Sequence, residues 1–180
     1  MELRTLDYSN MDLHGLDLSH RDFSRCLLTN TDLRGANLRC ASFYNADLTG
    51  AVADKDTVWA EADLRKAKNV PFIPMVCPSH GPFIAWKMAN NHGPVLVKLL
   101  IPGDAKRVSG TTRACRCDKA YVLRIEGADE AYSFNDPSFV YRAGEYVYAD
   151  SFDDDRWNNW SHGIYFFIDR EEAEMYRAWA

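Results

Sequence analysis

The chain has 180 residues, 47% of them hydrophobic and 26% charged, with a net charge of −5; this balance allows a buried core and excludes an intrinsically disordered polypeptide. No apolar run approaches the roughly 18 residues of a membrane helix, and the first residues lack the basic and apolar regions of a secretory signal, so a cytoplasm is the expected location. Five cysteines, an odd number without framework spacing, argue against a secreted disulfide scaffold.

The first third of the chain is organised by a ladder of large apolar residues at every fifth position: Leu3, Tyr8, Leu13, Leu18, Phe23, Leu28, Leu33, Leu38, Phe43 and Leu48. The residue before each centre is mostly acidic or amide, and a small residue precedes the later centres by two. A period of five fits neither a helix nor a flat strand and demands a chain that turns a corner in each repeat. Ala36-Asn37-Leu38, Ala46-Asp47-Leu48 and Ala62-Asp63-Leu64 resemble the consensus of the pentapeptide-repeat family. That resemblance implies a mostly β fold beginning with a short right-handed quadrilateral β-helix. Leu6, Met11, Leu16, Arg21 and Cys26 occupy the position of the small residue, so the first coil departs from the ideal and Arg21 is expected to turn outward or to mark an irregular corner. Ala53 breaks the register, which predicts a bulged or looped coil over 51–60 around Val58 and Trp59. At about 4.8 Å per coil, about three and a half coils span only about 16 Å, half of the roughly 34 Å turn of duplex DNA. With nine basic against eleven acidic residues over 1–70, scaffolding is favoured over DNA mimicry.

Pro71, Pro74 and Pro78 end the pattern and divide the chain into a repeat domain, 1–70, and a second domain, 71–180. Strands are expected over 83–88, 94–101, 120–126, 139–148 and 164–168. Asp169 then reads as the N-cap of a helix whose apolar stripe is Ala173, Tyr176, Trp179 and Ala180. An antiparallel sheet backed by this helix makes the domain α+β. The runs Cys77-Pro78, Gly81-Pro82-Phe83, Trp86-Lys87, 97–107, 113–120 and 163–167 resemble a domain of unknown function found in bacteriophage and prophage proteins, often behind pentapeptide repeats. The resemblance implies a phage-type origin and no established activity.

Charge is unevenly spread: seven basic residues against two acidic over 98–124, then three basic against thirteen acidic over 126–174. The segment 106–119 gathers Lys106, Arg107, Arg113 and Arg116 with Ser109 and Thr112 around Gly110. Guanidinium forks, hydroxyls and a closely approaching backbone are what a phosphate or carboxylate needs, so these residues, with Lys87, are the candidate ligand-binding set. Cys77, His80, Cys115 and Cys117 have the chemistry of a zinc set, but C-x-C is too tight a spacer and buried apolar cysteines are the preferred reading. Cys77, His80 and Cys115 are also weak candidates for thiol catalysis. Gly163-Ile164-Tyr165-Phe166 is similar to a strand of poly-ADP-ribosyltransferase-like domains, with Ser79-His80-Gly81 as the nearest partner motif, although a core strand is the plainer reading. Trp157, Trp160 and His162 could line a cleft or plug the core.

The sequence therefore points to a non-enzymatic, phage-type binding protein. Its second domain is expected to bind an anionic, nucleotide-like small molecule or a host defence protein, and its repeats to serve as scaffold or homo-oligomer surface. No cofactor or membrane is implied, and direct nucleic-acid binding is disfavoured by the overall charge. The competing readings are a nucleotide-acting enzyme, ADP-ribosyltransferase-like or cysteine-dependent, and a DNA-mimic inhibitor.

Overall fold

The computed structural model describes residues 6–176; Leu3, Trp179 and Ala180 lie outside them. The chain divides into two compact units, Met1–Pro74 and Met75–Ala180. The fold is mostly β with one short helix among the described residues.

In the first unit the residue before each centre forms a parallel bridge with the residue twenty positions on, as in Asp7 with Leu27, Asp12 with Asp32 and Asp17 with Asn37. Four pentapeptides therefore separate each bridged pair. Each corner is made by the residue two after the centre, which adopts a left-handed conformation: Asn10, Gly15, His20, Arg25, Asn30, Gly35, Cys40, Asn45 and Gly50 all have positive φ. Glycine and asparagine recur there because they carry the smallest penalty for that backbone. Inside, Leu28, Leu33, Leu38, Phe43, Leu48 and Leu64 are wholly buried. Phe43 stacks on Phe23 with centroids 5.2 Å apart and meets Trp59 at 5.6 Å.

The break in the ladder is a one-residue insertion. From Asn37 with Val58 onward the bridges join residues twenty-one apart. Ala53 keeps its place after Val52, which bridges Asp32, and Trp59 is the next centre, after Val58, which bridges Asn37; the extra residue between them is absorbed by a turn in which the Asp54 carboxylate accepts from the Gly35 and Asp56 amides and the Thr57 hydroxyl. At the small position Thr31, Ala36, Ala41 and Ala46 are buried, whereas Leu6, Met11, Leu16 and Arg21 lie exposed on the first described coil.

The second unit contains two antiparallel sheets. Strands β1 (Phe83–Asn90), β2 (Pro94–Ile101), β5 (Lys119–Ile125), β6 (Glu130–Tyr132), β7 (Val140–Arg142) and β8 (Tyr146–Tyr148) form one, in the order β7-β6-β1-β2-β5-β8. Strands β3 (Arg107–Ser109), β4 (Cys115–Cys117) and β9 (Ile164–Phe166) form the other, in the order β3-β4-β9. The expected strand over 139–148 is two strands joined by a tight turn in which Gly144 has φ of 85°. The basic segment 106–119 contains the β3–β4 pair. Helix α1 (Arg170–Met175) packs Ala173 with Met88, Leu96 and Phe167. Asp169 has the extended backbone of an N-cap but makes no side-chain cap; its carboxylate pairs with Arg113 instead.

Candidate functional site

The arginines of the basic segment are occupied by the fold. Arg107 is buried, and its guanidinium donates to the backbone carbonyls of Ala105, Gly81, Pro102 and Gly103 at 2.7–3.1 Å. Arg116, also buried, donates to the carbonyls of His162 and Asp155. Arg113 is exposed and forms ion pairs with Glu172 at 2.6 Å and Asp169 at 3.2 Å. Each guanidinium thus answers to a different set of partners. Ser109 is buried and accepts from the Val76 amide; the Thr112 hydroxyl donates to the Ala114 carbonyl. The Lys106 side chain is exposed, and its backbone amide is tied to Asp118. Gly110 is a glycine because a protein segment fills the space beside it: an added Cβ would lie 2.4 Å from the Arg156 carbonyl oxygen and 2.1 Å from Asn159 Oδ1.

Cys77, Cys115 and Cys117 are buried in the core of the second unit. Cys115 hydrogen-bonds Cys77 and holds its thiol below the usual range, while the same contact, with burial, pushes Cys115 up. Burial also raises Cys117. His80 is exposed, with its ring nitrogen 3.0 Å from the Ser79 hydroxyl. Among the described residues no group of three or more His, Cys, Asp or Glu side chains is arranged to hold a metal ion. The expected strand carries Tyr165 toward solvent-facing loops, where its hydroxyl donates to the Asn159 and Ser161 carbonyls.

A cavity of about 450 Å³ opens elsewhere in this unit, and Lys87 is on its wall. Its volume falls in the range of small-molecule sites. Side chains alternate along β1, so Lys87 shares a face with Ala85 and Ala89, both wholly buried against the core. This is an anomalous place for an ammonium. Among the described residues no carboxylate, carbonyl or hydroxyl accepts from Nζ; its contact is with the Tyr141 ring, 5.7 Å from the centroid. Burial without an acidic partner pushes Lys87 down to about 8. Tyr141 is only 2% exposed, and its hydroxyl likewise has no hydrogen-bond partner among the described residues; burial pushes this phenol well above its ordinary value. The lining also includes Met88, Phe134, Phe139, Tyr165 and Tyr176, together with Trp160, His162 and the carboxylates Asp136 and Asp150. Trp160 stacks on Tyr165 at 6.2 Å and is 69% exposed.

Of the residues singled out from the sequence as ligand-binding, Lys87 is the one that lines this cavity. Trp160 and His162 also reach it, whereas Trp157 is covered by the Arg156 guanidinium at 4.5 Å. Tyr141 was not singled out. In the sequence its strand reads like any aromatic-rich strand, and only the pairing of β7 at the sheet edge beyond β6 brings it to Lys87.

Residues 73–173 match the model of a family of unknown function, DUF5758. The chain belongs to this family. Within the first unit, residues 17–52 match the pentapeptide-repeat model in eight copies. A solved pentapeptide repeat protein from the Arabidopsis thaliana thylakoid lumen is 37% identical over 36% of this chain and 47% of that one, with a TM-score of 0.27. The chain thus spans about half the length of that protein. No curated protein matches it. In this DUF5758 protein the Lys87 cavity lies wholly within the family-matched residues apart from Tyr176.

Proposed function

We infer that this is a non-enzymatic binding protein whose DUF5758 unit takes a small anionic ligand, nucleotide-like in combining negative charge with a planar ring, in the Lys87 cavity. The observation that carries the reading is the ammonium itself. A lysine on the core face of a central strand, without a counter-ion, costs stability, and a bound anion is the partner that would offset it. The Tyr141 hydroxyl offers a second donor, and the aromatic wall offers stacking surface for a ring. The basic segment 106–119 contributes architecture on this reading.

On the same reading the repeats form a right-handed quadrilateral β-helix, supported by the parallel bridges twenty and twenty-one residues apart, and act as scaffold or oligomer surface. The resemblance noted on the sequence extends the proposal to a phage or prophage accessory protein that works in a host cytoplasm by sequestering a small signal or occupying a defence protein. No described helix is long and apolar enough to cross a membrane.

The test is thermal melting of the wild type and Lys87→Met in a panel of inorganic phosphate, mononucleotides and aromatic carboxylates. A ligand at 100 times its Kd adds about 2.7 kcal/mol of stability. At least one member should raise the wild-type Tm and leave the variant unmoved. A panel that shifts neither protein, or shifts both equally, sinks the reading.

A further inference from the structure

We propose that Lys87 is also a covalent site, whose amine condenses reversibly with the carbonyl of a small aromatic aldehyde or ketone held in the cavity. The proposal rests on the cavity being a ligand site and assigns chemistry to its nitrogen. An ion-paired lysine is held as an ammonium. Lys87 has no such pairing: of the two carboxylates that line the cavity, Asp136 and Asp150, Asp136 is turned to the Ser138 amide and hydroxyl, and neither ion-pairs with Nζ. Burial lowers the amine to about 8, so a useful fraction is neutral and nucleophilic near neutral pH. Met88, Phe139, Tyr165 and Tyr176 give the cavity an apolar wall suited to an aryl group.

The reaction is balanced without any further reagent. The nitrogen lone pair attacks the carbonyl carbon and the π pair moves to oxygen, giving a carbinolamine. The C–O bond then breaks as the C=N bond forms. Both protons lost by nitrogen end on the departing oxygen, so amine and carbonyl give imine and one water with no change of oxidation state. Tyr141 is a positioning and proton-relay group in this scheme. Its phenol opens on the same cavity, has no competing partner among the described residues, and is kept protonated by burial.

The experiment uses the full chain at pH 7.5 with 4-formylbenzoate and cyanoborohydride, which fixes an imine as a stable secondary amine, followed by intact-mass measurement and peptide mapping. At this pH a lysine lowered to about 8 carries about a hundredfold more neutral amine than an ordinary exposed one. Allowing for reduced access, Lys87 should be labelled at least about tenfold faster than the exposed Lys106. Tyr141→Phe should slow labelling while the adduct still maps to Lys87. Lys87→Arg should abolish that adduct and keep the anion-dependent rise in Tm, which separates covalent capture from charge recognition. Labelling spread over surface lysines, with Lys87 no faster than Lys106, overturns the covalent proposal. If anions then still stabilise the wild type, the binding function survives alone; if they do not, both readings fall.

Discussion

The two units use charge in opposite ways. In the repeats nearly every polar side chain that stands out in the sequence is consumed locally. Asp7, Asp12, Asp17, Asp22, Asp32, Asp47 and Asp63 each accept from the amide two residues on, and Arg34, Arg39 and Arg65 pair with Asp32, Glu61 and Asp63. Each carboxylate of the acidic row clamps its own turn through one oxygen. The second unit also consumes its arginines, yet it leaves Lys87 and Tyr141 lining a cavity with only ring contacts, and with no hydrogen-bond or ion-pair partner among the described residues. A charge marks a site by being unanswered, and a count of charges along the chain does not reveal that.

The sharpest way to break this contrast is to show that the repeats tolerate loss of packing or that the arginines are dispensable to the fold. Phe43 is wholly buried between Phe23 and Trp59, and Phe43→Ala should cost about 3–5 kcal/mol by chemical denaturation. Arg107→Ala comes next. It strands the buried Ala105 carbonyl and three partly buried ones, for an expected loss of about 2–3 kcal/mol. If Arg107 were instead a ligand group, the variant would fold with nearly unchanged stability and lose anion binding, which would move the site back to the basic segment.

Lys87→Met should have the opposite sign. Folding lowers this amine from 10.5 to about 8, so the folded state resists its protonation. The penalty is fully present below about pH 8 and disappears as pH rises through 10.5. Removing the ammonium should therefore stabilise the unliganded protein at pH 7 by about 1–3 kcal/mol, and the gap should close above about pH 10. Urea melts of both proteins at pH 7 and pH 10.5 measure it. Destabilisation by this substitution would mean that Lys87 is already satisfied and that the contrast between the units is false.

How much of this was legible in the sequence depends on where the determining contacts lie. The ladder, the inward aromatics and the register break near Val58 were readable because a repeat states its own geometry many times. Arg21 is exposed for the same reason: the small position it occupies has no room inside for a guanidinium. Strands β3 and β4 were not readable. Three residues such as Arg107–Ser109 or Cys115–Cys117 are too short to show alternation, and the Ser-Gly-Thr-Thr run between them looks like an open turn. Nor can sequence reveal that Arg107 faces carbonyls, because those acceptors belong to the backbone. Lys87 had one signal, its alternation with Ala85 and Ala89, which puts a lysine on the strand face that small core residues share.

The smallest expected effect separates the units by pH. Hydrogen bonds from Ser9, Ser19, Ser24, Thr49 and Arg65 hold Asp7, Asp17, Asp22, Asp47 and Asp63 below the usual carboxylate value, and the Arg34 side chain takes Asp32 to about 2. A carboxylate whose value falls on folding contributes stability that is present above the unfolded value of about 3.9 and is lost as pH falls through the folded one. The window for Asp32 therefore runs from about pH 4 to pH 2. These carboxylates are at the surface, so each one contributes little and the effect should be cumulative and salt-sensitive. Amide exchange at the turns after these aspartates should accelerate as pH is lowered through that window, beyond the intrinsic pH dependence of exchange. Asp32→Asn should keep its turn and lose the pH response, since Asn37 already accepts from the Arg39 amide through its amide oxygen at 3.2 Å. If the turns remain protected at pH 2, neutral side chains clamp them as well as charged ones do, and the acidic row is then free to have been selected for something other than its fold.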